Sequence, residues 1–251
     1  MYNFFVDDAN RQGDSFLIEG SDYNHIRNVL RMRVGDPFLV SSNGSSNLCT
    51  LERLDDGAAV ARIVEEDYQS TELPVKVYLF QGLPKGDKME LIIQKAVELG
   101  AAGVIPVEMK RCVVKLDEKK KRSRRERWQA IAESAAKQSK RNLIPQVFDV
   151  LTYKEAMAMA GEMDLFLLPY ENERGMAATR EALEALRPGM KVANRIGPEG
   201  GFEEKEVLLA QEKGARSISL GRRILRTETA AITSIAMCML HMETNLGGEA
   251  E

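Results

Sequence analysis

The fold is decided by two stretches near the C-terminal end, Ile196-Gly197-Pro198-Glu199-Gly200-Gly201-Phe202 and Leu220-Gly221-Arg222-Arg223-Ile224-Leu225-Arg226-Thr227-Glu228-Thr229-Ala230. Each follows a short apolar run and precedes a helical pattern. Three glycines within five positions let the first stretch take positive φ and bring its N–H groups close to a ligand. The second sets Gly221 directly after a strand-like Ser217-Ile218-Ser219-Leu220, and Thr-Glu-Thr then opens a helix. Two such loops at neighbouring strand ends form one pocket, the place where open parallel sheets bind ligands. Neither loop is a dinucleotide fingerprint or a P-loop, because G-x-G-x-x-G and G-x-x-x-x-G-K-[ST] are both absent.

Upstream of these loops the chain alternates strand and helix from Val75. Residues 75–81 read as an apolar strand, Gly82-Leu83-Pro84-Lys85-Gly86 as its turn, and Asp87 as the cap of a helix that Gly100 stops. A strand at 104–107 follows, then a helix from about Ser123 to Arg141 with Trp128, Ile131, Ala132 and Ala135 facing inward. Strands over 146–150, 164–170 and 191–196, with helices over 153–160 and 176–186, give an α/β pattern around a parallel sheet. The strand entering the first loop carries Asn194 and Arg195, which is costly in a central strand unless they are paired or near the rim. Arg195 could instead turn toward a ligand. Residues 203–213 form a helix with acids in its first turn, and the last helix runs from about Thr227 to Asn245. Its apolar face of Ile232, Ile235, Ala236, Met239 and Leu240 packs on a second copy or on its own sheet. Gly247 to Glu251 are expected to fray.

Residues 1–70 read differently. Short apolar or alternating runs at 2–6, 16–18, 38–41, 48–54 and 58–64 are separated by turn signals at barrel-like spacing. One helix, capped by Ser21 or Asp22, interrupts them and runs through His25 toward Leu30. His25 reads as a satisfied barrel histidine rather than a catalyst. Polar residues 67–74 end in proline and make a linker, so the expected domains are 1–70 and 71–251.

The 251 residues, 44% apolar and 29% charged, are those of a globular protein with a sizeable core. No run reaches the ~18 apolar residues of a membrane span, and no basic-then-apolar leader opens the sequence, so no membrane partner and a cytoplasmic location are expected. Cys49, Cys112 and Cys238 are isolated, and with only His25 and His241 no metal centre is suggested. The net charge of −3 hides a basic segment from Lys110 to Arg127 that includes Arg111. It reads as a local phosphate contact or as a solvated helix start. Lys88 and Lys95, two turns apart on one helix face, can track a phosphate backbone or stand exposed without a partner.

The pair IGPEGGF and LGRRILRTETAA resembles the C-terminal signature of the SPOUT methyltransferases, most closely the RsmE family, which methylates uridine N3 in 16S ribosomal RNA. The helix with Lys88, Gln94, Lys95 and Glu98, the Glu133-to-Asn142 run and His25-Ile26-Arg27-Asn28-Val29-Leu30-Arg31-Met32-Arg33-Val34-Gly35-Asp36 extend the resemblance over nearly the whole chain. The resemblance implies a SPOUT-type parallel sheet with a deep trefoil knot, preceded by a PUA-like β-barrel that binds RNA. It also implies S-adenosyl-L-methionine as cofactor and a homodimer formed through the last helix.

Carried onto this sequence, the cofactor residues are Gly197, Pro198, Glu199, Gly200 and Gly201 in the first loop. In the second they are Leu220, Gly221, Ile224, Leu225, Thr229 and Ala230, and Leu168 to Glu171 form a third wall. The expected RNA contacts are Arg27, Arg31 and Arg33, with Lys88, Lys95, Arg111, Gln138 and Arg141. Arg27 and Arg31, four apart, share a helix face; Gln138 and Arg141 could instead finish a helix end. Arg226 is the catalytic candidate, stabilising charge that develops on the base, or else it pairs with Glu199 or Glu228. Glu199 reads first as a loop-shaping carboxylate and second as a base. The expected partner is 16S rRNA, in the assembled small ribosomal subunit. The rivals are a SPOUT enzyme acting on transfer RNA or another ribosomal position, and a non-catalytic RNA-binding assembly factor.

Overall fold

Alternating apolar residues in the first 65 positions pair into a six-stranded sheet. Its strands are β1 (Asn3–Phe5), β2 (Arg11–Gln12), β3 (Ser15–Glu19), β4 (Pro37–Ser42), β5 (Ser45–Leu54) and β6 (Ala58–Glu65), with helix α1 (Gly20–Asn24) after β3. The order is β1-β4-β5-β6-β3-β2. Only the β1–β4 pair is parallel. Alternate residues share a face, so Phe16 and Ile18, Phe38 and Val40, Cys49 and Leu51, and Ala59 and Ala61 meet in one core. The computed structural model describes residues 1–246, and the expectation for 247–251 lies outside them. Two compact units result: Met1–Glu72 with Ala136–Ile144, and Leu73–Ala135 with the chain from Pro145 onward.

The helix after β3 departs from expectation. It starts at Gly20, so Ser21 and Asp22 lie inside it, and its N-cap Glu19 makes no side-chain capping bond. It then widens into a π turn over His25–Val29, where the Leu30 N–H donates to the His25 carbonyl at 2.9 Å. This path lets Tyr23, Ile26 and Met32 all enter the same core. Arg31 falls beyond the turn in the left-handed region at φ 52. The common helix face expected for Arg27 and Arg31 therefore does not form, although both side chains, and that of Arg33, are exposed. Arg27 lies over the Tyr23 ring and donates to its hydroxyl. His25 is exposed, edge-on to Phe4, and not a buried barrel histidine.

Arg141 is a second correction. Only 3% exposed, it donates through Nε to Glu72 Oε1 at 2.8 Å and through Nη2 to Glu72 Oε2. Its carbonyl accepts from Asn3 Nδ2 at 3.0 Å and from the Ser41 hydroxyl at 3.3 Å. Glu72 also accepts from the backbone N–H of Asn142 and Leu143. This buried pair ties segment 136–144 into the first unit and leaves Arg141 no surface for RNA; Gln138 remains exposed.

The second unit holds a parallel sheet of β7 (Lys76–Gly82), β8 (Gly103–Glu108), β9 (Gln146–Val147), β10 (Leu151–Thr152), β11 (Leu165–Pro169), β12 (Lys191–Ile196) and β13 (Arg216–Ile218). The order is β10-β8-β7-β12-β11-β13, with β9 also on β8. The connecting helices are α2 (Lys88–Glu98), α3 (Glu118–Ser139), α4 (Tyr153–Gly161), α5 (Ala177–Glu184) and α6 (Glu204–Glu212); α7 (Thr227–Leu246) closes the chain. α7 packs on α2, α5, β7 and β12, and α4 packs on α6 and β8. The buried side of α7 is Ala231, Ser234, Ile235, Cys238 and Met242, so Ile235 faces its own sheet. Ile232, Ala236 and Met239 are half-buried and Leu240 is exposed.

The structure makes an energetic prediction about the first unit. Arg141→Ala removes the cation from the half-buried Glu72 carboxylate, which keeps its two backbone donors, so it should cost about 1–3 kcal/mol of stability. Urea denaturation measures this; an unchanged midpoint would show that the pair contributes nothing.

Candidate active site

The carboxyl ends of β11, β12 and β13 open into one cleft of about 540 Å³. Both loops picked out in the sequence line it. Gly197 through Gly201 come from the loop after β12, and Leu220, Gly221, Ile224 and Leu225 from the loop after β13. Ala230 and Arg226 line it too, as do Pro169, Tyr170 and Glu171 at the end of β11. Leu168 is fully buried beneath that wall, and Thr229 is exposed; neither reaches the lining. Lining residues given no role in the sequence analysis include Glu173, Phe202, Arg222, Arg223 and Thr227, and Lys88, expected at the RNA, lines the cleft as well.

Close backbone approach explains two of the glycines. A Cβ on Gly82, where β7 ends, would sit 2.7 Å from Pro198 Cδ and from Met109 Sδ. A Cβ on Gly200 would lie 2.9 Å from Arg111 Cβ and 3.1 Å from its carbonyl. Arg111 Nη1 donates to the Gly200 carbonyl at 3.0 Å, so its guanidinium shapes this loop. The loop itself turns back on a Gly201 N–H to Pro198 carbonyl bond of 2.9 Å.

A buried hydroxyl joins three segments. Thr227, the first residue of α7, donates to the Gly197 carbonyl at 2.6 Å and accepts from Gln81 Nε2 at 2.9 Å. Gln81 is fully buried at the end of β7 and also donates to the Gly82 carbonyl. No sequence motif marks Gln81; Thr227 was visible only as part of a helix start.

The polar pair in β12 divides between the faces of the sheet, as successive strand residues must. Asn194 accepts from the Ser234 hydroxyl of α7 at 2.9 Å. Arg195, fully buried, points the other way, with its guanidinium 5.1 Å from the Tyr153 ring and 5.7 Å from the Phe202 ring. Its Nη1 donates to the carbonyls of Phe80, at 2.8 Å, and Ile196, at 3.2 Å. Nε and Nη2 have no partner among the described residues. Burial pushes the guanidinium down to about 10 and the Tyr153 hydroxyl up to about 12, so at neutral pH a cation lies between neutral rings. Arg195 thus does not line the cleft; it lies against Phe202, which does.

Lys88 is not a free cation. Its Nζ is 3.0 Å from Glu199 Oε1 and 3.2 Å from Glu228 Oε2. Glu199 Oε1 also accepts from the Lys85 N–H at 3.1 Å. Partial burial pushes the Glu199 carboxyl up, but bonds from its own N–H, from Lys88 and from Lys85 outweigh it and hold it below the ordinary range. Such a carboxylate is a weak proton acceptor and a good loop anchor. Lys88 takes both acids that the sequence offered to Arg226. Arg226 is exposed, and its side chain has no ion pair among the described residues.

The other expected phosphate contacts are similarly engaged. Lys95 pairs with Glu98 at 2.8 Å one turn along α2. In the basic segment Lys120, Lys121 and Arg125 pair with Asp117, Glu108 and Asp149, and Arg124 and Arg127 both reach Glu90. Local carboxylates thus neutralise much of α3. Cys49, Cys112 and Cys238 are buried and free. Among the described residues no group of His, Cys, Asp or Glu could hold a metal ion, and no helix is long and apolar enough to cross a membrane.

Two substitutions separate the supports of the first loop. Thr227→Val leaves the Gly197 carbonyl and one Gln81 bond unmet and should cost about 1–3 kcal/mol, read as a lower denaturation midpoint. Arg195→Met removes a buried charge, so stability should hold or rise by about 1–4 kcal/mol, while affinity for the cleft's ligand falls as the loop loosens. Unchanged affinity would show that the loop does not need Arg195.

Comparison with known proteins completes the site. A family model described as an RNA methyltransferase domain matches residues 71–239, and one described as an RNA methyltransferase PUA domain matches residues 18–64. The chain is 37% identical to the ribosomal RNA small subunit methyltransferase E of Bacillus subtilis, across 99% of this chain and 100% of the relative. A crystal structure of a hypothetical protein superposes with a TM-score of 0.89 at 36% identity, covering 97% and 99% of the two chains. The ribosomal RNA small subunit methyltransferase E of Neisseria gonorrhoeae, solved bound to S-adenosyl methionine, superposes at 0.77 with 32% identity and 98% of each chain covered. Glycine loop, arginine-bearing loop and parallel sheet accordingly belong to a known design: the chain is a member of the ribosomal RNA small subunit methyltransferase E family.

Proposed function

We propose that this protein methylates N3 of a uridine in small-subunit ribosomal RNA with S-adenosyl-L-methionine as methyl donor. The observation that carries this reading is the cleft at the strand ends, walled by both loops in a chain that belongs to this family. The residues present suit that cofactor. Among the described residues, nothing in the protein accepts from the backbone N–H of Leu220, Ile224 or Leu225, so the wall offers unpaired donors to a polar ligand. Glu171 and Glu173 line the same cleft without an ion pair among the described residues, and they complement a cationic ligand.

When bound, the cofactor supplies an electrophilic methyl group on a sulfonium, which the uracil nitrogen takes by in-line displacement. The chain's part is alignment and charge. The loop of Gly197, Pro198, Glu199, Gly200 and Gly201 and the loop of Leu220, Gly221, Ile224 and Leu225 hold the cofactor, and Ala230 closes the pocket. Arg226 stabilises the negative charge that grows on the uracil as N3 gives up its proton. N3 lies on the pairing edge, so the target is unpaired or extruded.

We infer further that the parallel-sheet unit is a SPOUT-type domain closed by a trefoil knot, a reading supported by its strand order and its two loops. The protein acts in the cytoplasm as a homodimer, with the half-exposed Ile232, Ala236, Met239 and Leu240 meeting a second copy. The PUA domain, through Arg27, Arg31 and Arg33, holds RNA of the assembled small subunit.

The test supplies labelled S-adenosylmethionine to the protein with unmethylated small subunits, naked 16S RNA and transfer RNA. Label is expected as 3-methyluridine in the subunit; label in transfer RNA, or none anywhere, contradicts the reading. Arg226→Ala should lower turnover by about 10²-fold, the scale of one lost transition-state donor, with cofactor affinity nearly unchanged. Wild-type turnover in that variant would remove Arg226 from the mechanism.

A further inference from the structure

The loop between β13 and α7 lines the cleft from Ser219 to Thr227, yet Arg222, Arg223, Ile224 and Arg226 in it are also exposed to solvent. The three arginines have no ion pair among the described residues, although Glu171 and Glu173 line the same cleft. This contrasts with the basic segment of α3, where most arginines lie against a carboxylate. Ile224, between them, is 87% exposed, the largest exposure among the protein's exposed large apolar side chains. Three unneutralised guanidinium groups around an apolar tip, at the mouth of a ligand cleft, form a surface that suits a phosphodiester chain and the face of an unpaired base.

We propose that this loop grips the RNA substrate: Arg222 and Arg223 hold phosphates flanking the target nucleotide, and Ile224 packs against the base that leaves the stack. The proposal rests on the reading of the protein as an RNA methyltransferase and adds where its substrate is held. A fixed grip beside the cleft brings the target nucleotide to the reacting end of the site. Guanidinium groups meet phosphate bidentately, which fixes orientation as well as affinity. An apolar side chain wedged beside an unstacked base is a device that nucleic-acid-binding proteins use to keep it open. The one loop therefore serves both ligands, lining the cleft while its exposed side chains reach the RNA.

The salt dependence of RNA binding tests this on the full-length protein. The probe is a fluorescein-labelled single-stranded RNA, titrated by anisotropy at several salt concentrations. Each phosphate contact contributes about 0.7 to the slope of log affinity against log salt for single strands. Arg222→Ala with Arg223→Ala should flatten the slope by about 1.4 and weaken binding about tenfold at low salt. Because Arg222 and Arg223 also line the cleft, the affinity for S-adenosylmethionine is read by calorimetry in the same variant, and a loss of RNA binding larger than any loss of cofactor affinity is the expected result. Arg222→Lys with Arg223→Lys should restore the slope, because charge alone sets it. Ile224→Ser should keep the slope while lowering methyl transfer at saturating RNA. Both arginine positions are exposed, so the variants should melt like the wild type. An unchanged slope and affinity in the alanine double variant would overturn the proposal. Failure of the wild type to transfer methyl to any RNA would instead strike the activity reading, and the slope would still decide whether the loop holds RNA.

Discussion

The cleft depends on one buried hydroxyl. Thr227 links the carbonyl of Gly197 to the side chain of Gln81, and so fixes the start of the last helix against the ends of two central strands. β7 and β12 are neighbours in the sheet but far apart in the chain, and Thr227 ties both to α7. The glycine loop therefore takes its shape from α7 as well as from its own strand. The Asn194–Ser234 bond repeats the same linkage two turns further along α7. Gly82 permits it, because any side chain there would strike Pro198. Stability and ligand binding are thus coupled through the same few contacts.

A buried cation beneath the loop is the second constraint. Arg195 sits in a central strand where an apolar residue would cost less, and two of its nitrogens go without a partner among the described residues. Besides the Tyr153 ring of α4, its contacts lie at the loop or next to it: the Ile196 carbonyl just before Gly197, the Phe80 carbonyl on the neighbouring strand, and the Phe202 ring that ends the loop. Rigid support under a ligand-binding loop is what preorganisation requires, and residues outside the lining supply it. Lys88 with Glu199, both in the lining, anchors the loop as well.

The sequence was most legible where periodicity and glycine chemistry agree. β12 runs over 191–196 as expected, and α2 lies between Asp87 and Gly100. Both cleft loops were evident because glycines and a helix start leave local signals. The partners of the charged residues were not. Nothing near Lys88 in sequence says that it meets Glu199 and Glu228, more than 100 positions away, and nothing near Arg141 points to Glu72. Local reading left those side chains as surface cations, when long-range packing had placed acids beside them. The π turn at His25 was hidden for a similar reason, since the core's demand for Met32 is a tertiary fact. Arg222 and Arg223 were in plain view in the motif, but only their lack of an ion pair among the described residues marks them as different.

The central claim is that backbone donors of two loops, held by Thr227 and Arg195, form the cofactor site. Hydrogen–deuterium exchange of the full-length protein, with and without S-adenosylmethionine, tests this most directly. Protection should appear at 196–202 and 219–230, strongest at the unpaired amides of Leu220, Ile224 and Leu225, with none in the first unit. Protection confined to other segments, or unchanged exchange at those three amides with the cofactor bound, would contradict the account.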